Sequence, residues 1–283
     1  MEAKYICIDG EFLKADESQL LYTNRAFQYG DALFETIHCS GTSPHFIGNH
    51  ITRLKQGMKV LHMDYTEDLE KDKLCRNIEK LLNKNRIFKG ARIRLTIFRK
   101  AGGLYTPTTH EVSWLMQCSV LENEFYELNQ AGLHVDIFDE VHKPVNILSN
   151  LKTNNALIYV LAGNYRNQLQ LDECIVLNQF GRVCETISSN IFIYHNEKLI
   201  TPPLSEGCIA GTMRFTVLQL AELAGYRTEE RGILEKHLIE AEEVFITNAI
   251  QGIRWVSAYK DRRYFNFVSR KLMAALKSTA QQS

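Results

Sequence analysis

The stretch NILSNLKTNNALIYV, residues 146–160, places one lysine, Lys152, between two apolar runs. The first run predicts a strand and the second a helix. No acidic residue follows Lys152 within ten positions to pair with its charge. A lysine in such a joint is most often a solvated loop residue, so a special role needs support from the rest of the chain. The joint itself is built from uncharged polar residues: Ser149, Asn150, Thr153, Asn154 and Asn155.

Bulk properties limit the classes of function. The chain has 283 residues, with 33 basic and 33 acidic side chains. This length predicts two domains or one large α/β unit, and the balanced charge predicts no nucleic-acid partner. Seven cysteines occur singly without a CxxC pair, which indicates reduced thiols and no metal site. The sequence shows no leader or bilayer-length apolar stretch, so we expect a cytoplasmic protein without a membrane partner.

The first part of the chain alternates strand and helix patterns. KYICI and EFLKA flank Asp9-Gly10, and this pattern predicts a hairpin because Asp-Gly supplies the positive φ angles of a two-residue turn. Apolar residues recur at helical spacing in 50–63 and 74–82. Residues 91–99 and 112–121 predict strands. These patterns indicate a sheet with helices packed on it.

The second part mixes strands and helices without strict βαβ alternation, which favours an α+β fold. A polar stretch, 122–130, predicts a linker between an N-terminal α+β domain, 1–121, and a C-terminal α+β domain, 131–283. The predicted strands are GLHVDIF, ECIVLN, SNIFIY and EVFIT, and the predicted helices are 213–224 and 268–276.

A lysine can act as a covalent catalyst by forming a Schiff base, and pyridoxal phosphate (PLP) is its best-known aldehyde partner among cofactors. PLP needs an arginine and N–H groups for its phosphate and a carboxylate for its ring nitrogen. Arg53 lies near the edge of the apolar stripe of a helix, where it either meets an anion or covers the stripe. Gly211 and Thr212 open another helix, which provides either an anion site or a plain cap.

Glu185 is the candidate for the ring nitrogen. It precedes an apolar strand, and small polar residues follow it. A turn with a solvated acid is the alternative interpretation of such a cluster. The small polar residues are Thr186, Ser188, Ser189 and Asn190.

Six ordered stretches resemble the motifs of the class IV aminotransferase superfamily, the fold-type IV PLP enzymes. The resemblance covers nearly the whole chain and implies a two-domain α+β homodimer of the D-amino acid aminotransferase-like fold, with the cofactor in the cleft between domains. It implies that Lys152 forms the Schiff base, Glu185 faces the pyridine nitrogen and Arg53 binds the phosphate. The stretches are FQYGDALFETI (27–37), HITRLKQ (50–56), SNLKTNN (149–155), DECIVLNQFGRVCETISSNIF (172–192), LITPPLSEGCIAGTMR (199–214) and AEEVFITNAIQGI (241–253). Further cofactor contacts implied in this way are Ser188, Ser189, Asn190, Thr212, Met213 and Asn248.

Local differences separate the activities of this superfamily. Thr36 and His38 replace the glycine and arginine of the FEGIR motif of branched-chain aminotransferases, and Leu157 stands where those enzymes carry a tyrosine. The Asn248-Ala249 loop, GTMRF and FRKAGGLYTP are similar to segments of the 4-amino-4-deoxychorismate lyases. We therefore predict a lyase that eliminates pyruvate to give 4-aminobenzoate in folate biosynthesis. The alternatives are an aminotransferase of branched-chain or D-amino acids and a non-catalytic PLP-binding protein.

The lyase hypothesis assigns roles to individual residues. Lys152 and Thr36 are the predicted catalytic residues, and Arg99 is the candidate ligand of a substrate carboxylate. Arg92 and Arg94, on the same segment, are alternative candidates for this role, but an exposed strand face is the preferred interpretation of both. Tyr29 and Tyr105 are candidate substrate contacts, with aromatic packing as the alternative. The sequence assigns no role to His38 or Trp255.

Overall fold

The computed structural model describes residues 3–18 and 21–281. Contacts divide the chain into two units. The first comprises the chain up to Phe125 together with Leu151–Asn155, and the second comprises Tyr126–Asn150 and the chain from Ala156 onward. Both units combine helices and sheets, which confirms the predicted α+β class. Among the helices of the described residues, none has both the length and the apolar character that crossing a bilayer requires.

The first unit is built on a six-stranded antiparallel sheet in the order β2-β1-β6-β5-β3-β4. Apolar side chains of its helices and of one sheet face form a single core cluster. The strands are β1 (Tyr5–Ile8), β2 (Glu11–Lys14), β3 (Ala32–Ser40), β4 (Ser43–Pro44), β5 (Ala91–Arg99) and β6 (Val112–Val120), and the helices are α1 (Arg25–Tyr29), α2 (Ile47–Val60) and α3 (Lys71–Asn85), with a 3-10 turn at Glu67–Leu69.

The predicted hairpin is confirmed at the start of this sheet. Ile8 pairs with Glu11, so Asp9 and Gly10 alone form the turn. Their φ angles are 48° and 89°, the positive values that this turn requires. The predicted helices of this unit are also present, and α2 begins at Ile47, earlier than the predicted start at residue 50.

The alternation of β3 and β5 gives the sheet two chemically different faces. Ile37 and Ile93 pair in register and lie in the core with the helices. Thr36 and Arg94 pair in register one step away, so both lie on the opposite face. The face without helices therefore carries polar and charged side chains such as Thr36 and Arg94.

The segment that carries Lys152 pairs with β3. The Phe34 N–H donates to the Lys152 carbonyl at 2.9 Å, and the Asn154 N–H donates to the Ala32 carbonyl at 3.1 Å. These backbone bonds are the reason why Leu151–Asn155 clusters with the first unit, although it lies within the predicted C-terminal stretch 131–283. The predicted domain boundaries stay a prediction.

The second unit is built on a mixed nine-stranded sheet in the order β12-β11-β10-β13-β14-β7-β8-β9, with β15 paired to β14. The predicted strands and helices of this half are present. The strands are β7 (Leu133–Lys143), β8 (Glu173–Asn178), β9 (Val183–Thr186), β10 (Asn190–His195), β11 (Lys198–Thr201), β12 (Arg227–Glu230), β13 (Glu243–Asn248), β14 (Gly252–Tyr259) and β15 (Arg262–Arg263). The helices are α4 (Leu157–Gln168), α5 (Thr212–Leu223), α6 (Glu235–Glu240) and α7 (Phe267–Ala280), with a 3-10 turn at Leu204–Glu206.

The apolar run just before Lys152 is a turn, so the strand predicted there is wrong. The Ser149 hydroxyl accepts from the Asn146 N–H at 2.7 Å and donates to the Pro144 carbonyl at 2.8 Å. Such side-chain bonds give the backbone an alternative to a strand, and Pro144 removes a ladder donor. The helix predicted after the joint is confirmed and begins at Leu157.

Candidate active site

Lys152 and Arg94 both lie close to the ring of Phe34. Its Nζ lies 4.4 Å from the centroid of the Phe34 ring, and the Arg94 guanidinium carbon lies 3.9 Å from the same centroid. Arg92 is exposed as predicted, but Arg94 is half-buried, so the prediction of a plain exposed strand face is wrong for Arg94. Burial and the nearby charge of Arg92 lower the pKa of Arg94. An anion bound here would stabilise the charged form of Arg94.

A cluster of three ionisable residues, the buried Glu35 and His50 and the half-buried Arg53, lies beside Lys152. Arg53 donates to both carboxylate oxygens of Glu35, from Nε at 2.8 Å and from Nη2. His50 Nδ1 donates to Glu35 Oε2 at 2.6 Å, and the exposed fraction of both Glu35 and His50 is 2%. Glu35, Arg53 and Lys152 all line one small cavity. The structure therefore brings two of the predicted cofactor residues, Arg53 and Lys152, to one place.

The electrostatics of this cluster keep Glu35 ionised. Burial alone would raise the pKa of Glu35, but the charge of Arg53 and the hydrogen bonds from Arg53 and His50 lower it to about 2. Burial lowers the pKa of His50, so its ring is neutral at pH 7. Sequence reasoning missed both residues. One signal could have found them: the strand alternation places Glu35 on the core face of β3, and a buried carboxylate requires a partner.

Glu185 is a buried ion rather than the solvated acid of the alternative interpretation. Its Oε1 accepts from Lys143 Nζ and, at 2.6 Å, from the Tyr159 hydroxyl, while Oε2 accepts from the Ile209 N–H at 2.8 Å. Its exposed fraction is 3%. Burial and the adjacent carboxylate raise the pKa of Tyr159, so this hydroxyl stays protonated and donates. Neither Lys143 nor Tyr159 was predicted, since no local pattern connects them to Glu185.

Predicted phosphate contacts gather near the start of α5. Thr212 and Met213 are its first two residues and are buried. The preceding Gly211 has no side chain with which to cap their N–H groups, and a Cβ there would lie 1.8 Å from Asn190 Oδ1. Asn190 in turn donates to the Ile209 carbonyl at 2.9 Å. Close packing therefore demands glycine at 211, which leaves the helix N-terminus uncapped by a side chain and suited to an anion.

Two other predicted cofactor residues of the second unit, Asn248 and Ser189, are hydrogen-bonded to each other. Asn248 Nδ2 donates to Ser189 Oγ at 2.9 Å, and Asn248 Oδ1 accepts from the Gln251 N–H at 2.8 Å. Ser188 is exposed, whereas Ser189 is buried. The structure thus joins Asn248 with Ser189 and leaves Ser188 at the surface.

Of the predicted substrate contacts, two tyrosines lie together in the first unit. The ring centroids of Tyr29 and Tyr105 are 5.6 Å apart, and the Arg25 guanidinium lies 4.9 Å from the Tyr29 ring. Tyr105 is exposed. Thr36 is half-buried on the sheet face that also carries Phe34 and Arg94.

Arg99, the predicted ligand of a substrate carboxylate, has protein acceptors for all three of its guanidinium nitrogens. Nε donates to Asp31 Oδ2 at 2.9 Å, Nη1 to the His62 carbonyl at 3.0 Å and Nη2 to the Leu61 carbonyl at 2.6 Å. Its exposed fraction is 5%. This geometry favours a structural role for Arg99 and makes Arg94 the better-placed arginine for a substrate anion.

We expect the Arg99→Met substitution to lower the free energy of unfolding by about 3 kcal/mol, because it leaves buried acceptors without a donor. The KM of the folded enzyme should not change. Urea denaturation measures the first quantity and steady-state kinetics the second. The exposed neighbour Arg92 supplies the control, since Arg92→Met should change stability by less than about 0.5 kcal/mol. A fully stable Arg99→Met enzyme with a raised KM would restore the substrate role.

This chain is similar to known proteins over most of its length. The family described as amino-transferase class IV matches residues 32–259. An aminodeoxychorismate lyase of Bacillus subtilis (strain 168) is 27% identical over 250 residues, which are 87% of this chain and 83% of that protein. A Thermotoga maritima protein named "Probable branched-chain-amino-acid aminotransferase" is 26% identical over 261 residues, which are 90% of this chain and 87% of that protein.

The fold has solved counterparts as well. The crystal structure of branched-chain amino acid aminotransferase from Thermobaculum terrenum in its PLP form has a TM-score of 0.85 at 19% identity and covers 99% of this chain and 95% of that chain. Relatives named for two different activities are almost equally similar to this chain, so the choice between the activities depends on the site. The chain belongs to the class IV aminotransferase family, as its six motifs predict, and is an enzyme with pyridoxal 5′-phosphate as its cofactor.

Proposed function

We propose that this enzyme is a 4-amino-4-deoxychorismate lyase, which eliminates pyruvate from its substrate to give 4-aminobenzoate for folate biosynthesis. The observation that carries the proposal is the pair of cations, Lys152 and Arg94, on the Phe34 ring. The substrate of such a lyase carries two carboxylates, and arginine pairs with carboxylates through two parallel hydrogen bonds. A branched-chain amino acid would instead need an apolar pocket beside the lysine.

A cavity on the same sheet face supports an anionic substrate. Its volume is about 540 Å³, and Arg92, Arg94, Gln117 and Ser119 line it together with small and apolar residues. None of the described residues that line this cavity carries a carboxylate. The lining therefore favours an anion over a cation or an aliphatic side chain.

Each unit carries residues whose chemistry fits PLP. In the first unit, Lys152 would hold the cofactor covalently and Arg53 would bind its phosphate. In the second unit, Glu185 would suit its ring nitrogen, and the N–H groups of Thr212 and Met213 would suit its phosphate. Glu185 suits its role because Lys143 and the Ile209 N–H stabilise its ionised form. When bound, the cofactor accepts the electrons that remain when the substrate loses a proton.

The chain's own groups would then move protons. The Lys152 amine removes the proton at C4 of the substrate ring, and Lys152 or the Thr36 hydroxyl delivers a proton to the departing pyruvate. Thr36 lies on the same sheet face as Arg94, its partner in the strand register. Arg94 orients a substrate carboxylate on this face. Breaking the carbon–oxygen bond makes the ring aromatic, so the elimination is strongly downhill.

Incubation of the purified enzyme with aminodeoxychorismate should release 4-aminobenzoate, detected by its fluorescence, and pyruvate in equal amounts. We expect Arg94→Met to raise the KM about tenfold, because one charge-assisted contact with the substrate is lost. Arg99→Met, on the same strand, is the matched control and should leave the KM unchanged. Absence of 4-aminobenzoate from an enzyme that retains PLP would overturn the proposal.

An aminotransferase of branched-chain or D-amino acids is the second candidate, favoured by the relatives with that name at almost equal identity. With an L- or D-amino acid and 2-oxoglutarate, it would form glutamate without breaking a carbon–oxygen bond. Glutamate without 4-aminobenzoate would therefore select this candidate. Both candidates share the proposed homodimer that the motifs imply and the proposed cytoplasmic location, and sedimentation analysis tests the dimer.

A further inference from the structure

The cluster of Glu35, His50 and Arg53 has a geometry that an isolated surface arginine lacks. We propose that Glu35 and His50 are positioning residues that hold the Arg53 guanidinium ready for the phosphate of the cofactor. This inference rests on the proposed assignment of Arg53 to that phosphate. Glu35 and His50 themselves act only through Arg53.

The first step of the argument is the pairing of Arg53. Its Nε and Nη2 both donate to the carboxylate of Glu35, which fixes the plane of the guanidinium and directs the Nη1 edge away from Glu35. An arginine side chain otherwise loses much rotamer freedom when it binds a ligand. Holding it beforehand removes part of this cost from phosphate binding.

The second step is the role of His50. Its Nδ1 donates to Glu35 Oε2 at 2.6 Å, the oxygen that also accepts from Arg53 Nη2. Because the ring of His50 is neutral, it fixes the carboxylate without adding a positive charge that would compete with Arg53 for it. Glu35 thus has one neutral and one charged partner, and only the charged one faces the phosphate in this proposal.

The third step is location. Glu35 and Arg53 line the same cavity as Lys152. The positive charge of Lys152 also contributes to the lowered pKa of His50. The cluster therefore adjoins the amine that is proposed to hold the cofactor, and this position supports a link between the two.

The test compares PLP with pyridoxal, which lacks the phosphate. Both are titrated into full-length protein stripped of its cofactor, and the absorbance of the bound form gives each dissociation constant. We expect Glu35→Gln to weaken PLP binding about tenfold or more, because one oriented charge-assisted contact is lost, and to change pyridoxal binding by less than about twofold. Equal losses for both ligands, or no loss for either, would overturn the inference.

A matched control separates this effect from the loss of any buried carboxylate. Glu243 is also 2% exposed and accepts from the Val268 and Ser269 N–H groups at the start of α7. Glu243→Gln should lower stability but keep the wild-type ratio of PLP to pyridoxal affinity. A lowered ratio in this variant as well would contradict a specific role for Glu35.

A second pair of variants decides the question should Glu35→Gln not fold. His50→Phe removes the hydrogen bond to Glu35, whereas His50→Asn keeps an N–H donor near the Nδ1 position. We expect His50→Phe to lower the affinity ratio and His50→Asn to restore it toward wild type. Identical ratios in the two variants would count against the inference. The assay does not use turnover, so its result is independent of whether the enzyme makes 4-aminobenzoate.

Discussion

Replacement of Lys152 by alanine should lower turnover at least about 10³-fold, because the proposed nucleophile and proton carrier are one side chain. Borohydride reduction of the wild-type enzyme should fix PLP on the peptide that contains Lys152, and the variant should show no such mass increase. Peptide mass spectrometry after reduction measures this directly. The variant should remain folded, since the segment 151–155 pairs with β3 through backbone groups that alanine keeps.

An exposed lysine of the same unit provides the control for Lys152→Ala. Lys100 Nζ pairs with Glu111 at 2.7 Å at the surface, and both side chains are largely exposed. Lys100→Ala should therefore retain turnover and covalent PLP. If PLP were fixed on another lysine in the Lys152→Ala protein, with turnover preserved, the assignment of Lys152 as nucleophile and proton carrier would be wrong.

The second large effect is expected at Glu185. Glu185→Gln should lower turnover about 10²- to 10³-fold, because a neutral amide no longer favours the protonated ring nitrogen of the cofactor. The same substitution leaves Lys143 buried without its carboxylate, which should destabilise the fold by about 3–5 kcal/mol. Steady-state kinetics and thermal unfolding separate the two consequences.

The double variant Lys143→Met/Glu185→Gln tests whether the loss of turnover arises from chemistry or from instability. Removing both charges should recover much of the stability, since no unpaired ion remains in the interior. Turnover should stay as low as in Glu185→Gln. Recovery of turnover together with stability would show that Glu185 serves only the fold.

Sequence motifs were sufficient to predict the α+β class, the family and its cofactor. They also made Lys152 and Glu185 the candidate cofactor residues, because both lie in short stretches whose order is distinctive, and these roles stay predictions. The partners of Glu185 and Arg53 were missed for a physical reason. Lys143 is 42 positions from Glu185, and Glu35 is 18 positions from Arg53, so folding rather than local spacing brings them together.

Arg94 and Arg99 show how neighbouring residues of one type can differ. A strand pattern predicts which face a side chain occupies, but it does not reveal what covers that face. Arg99 at the end of β5 meets Asp31 and two backbone carbonyls of another segment, whereas Arg94 lies on the Phe34 ring. The sequence therefore named Arg99 ahead of Arg94 as the candidate carboxylate ligand, whereas the contacts of Arg99 favour a structural role and those of Arg94 support the proposed substrate role.

The pairing of residues 151–155 with β3 has a consequence for biosynthesis. When a ribosome has released only the chain up to Phe125, the Ala32–Phe34 edge still lacks the backbone partners that Lys152 and Asn154 provide. Residues 126–150 must emerge before that edge can be closed. Lys152 is thus added with the last piece of the first unit, so under the proposed function a nascent fragment that ends at Phe125 lacks the amine that would bind the vitamin.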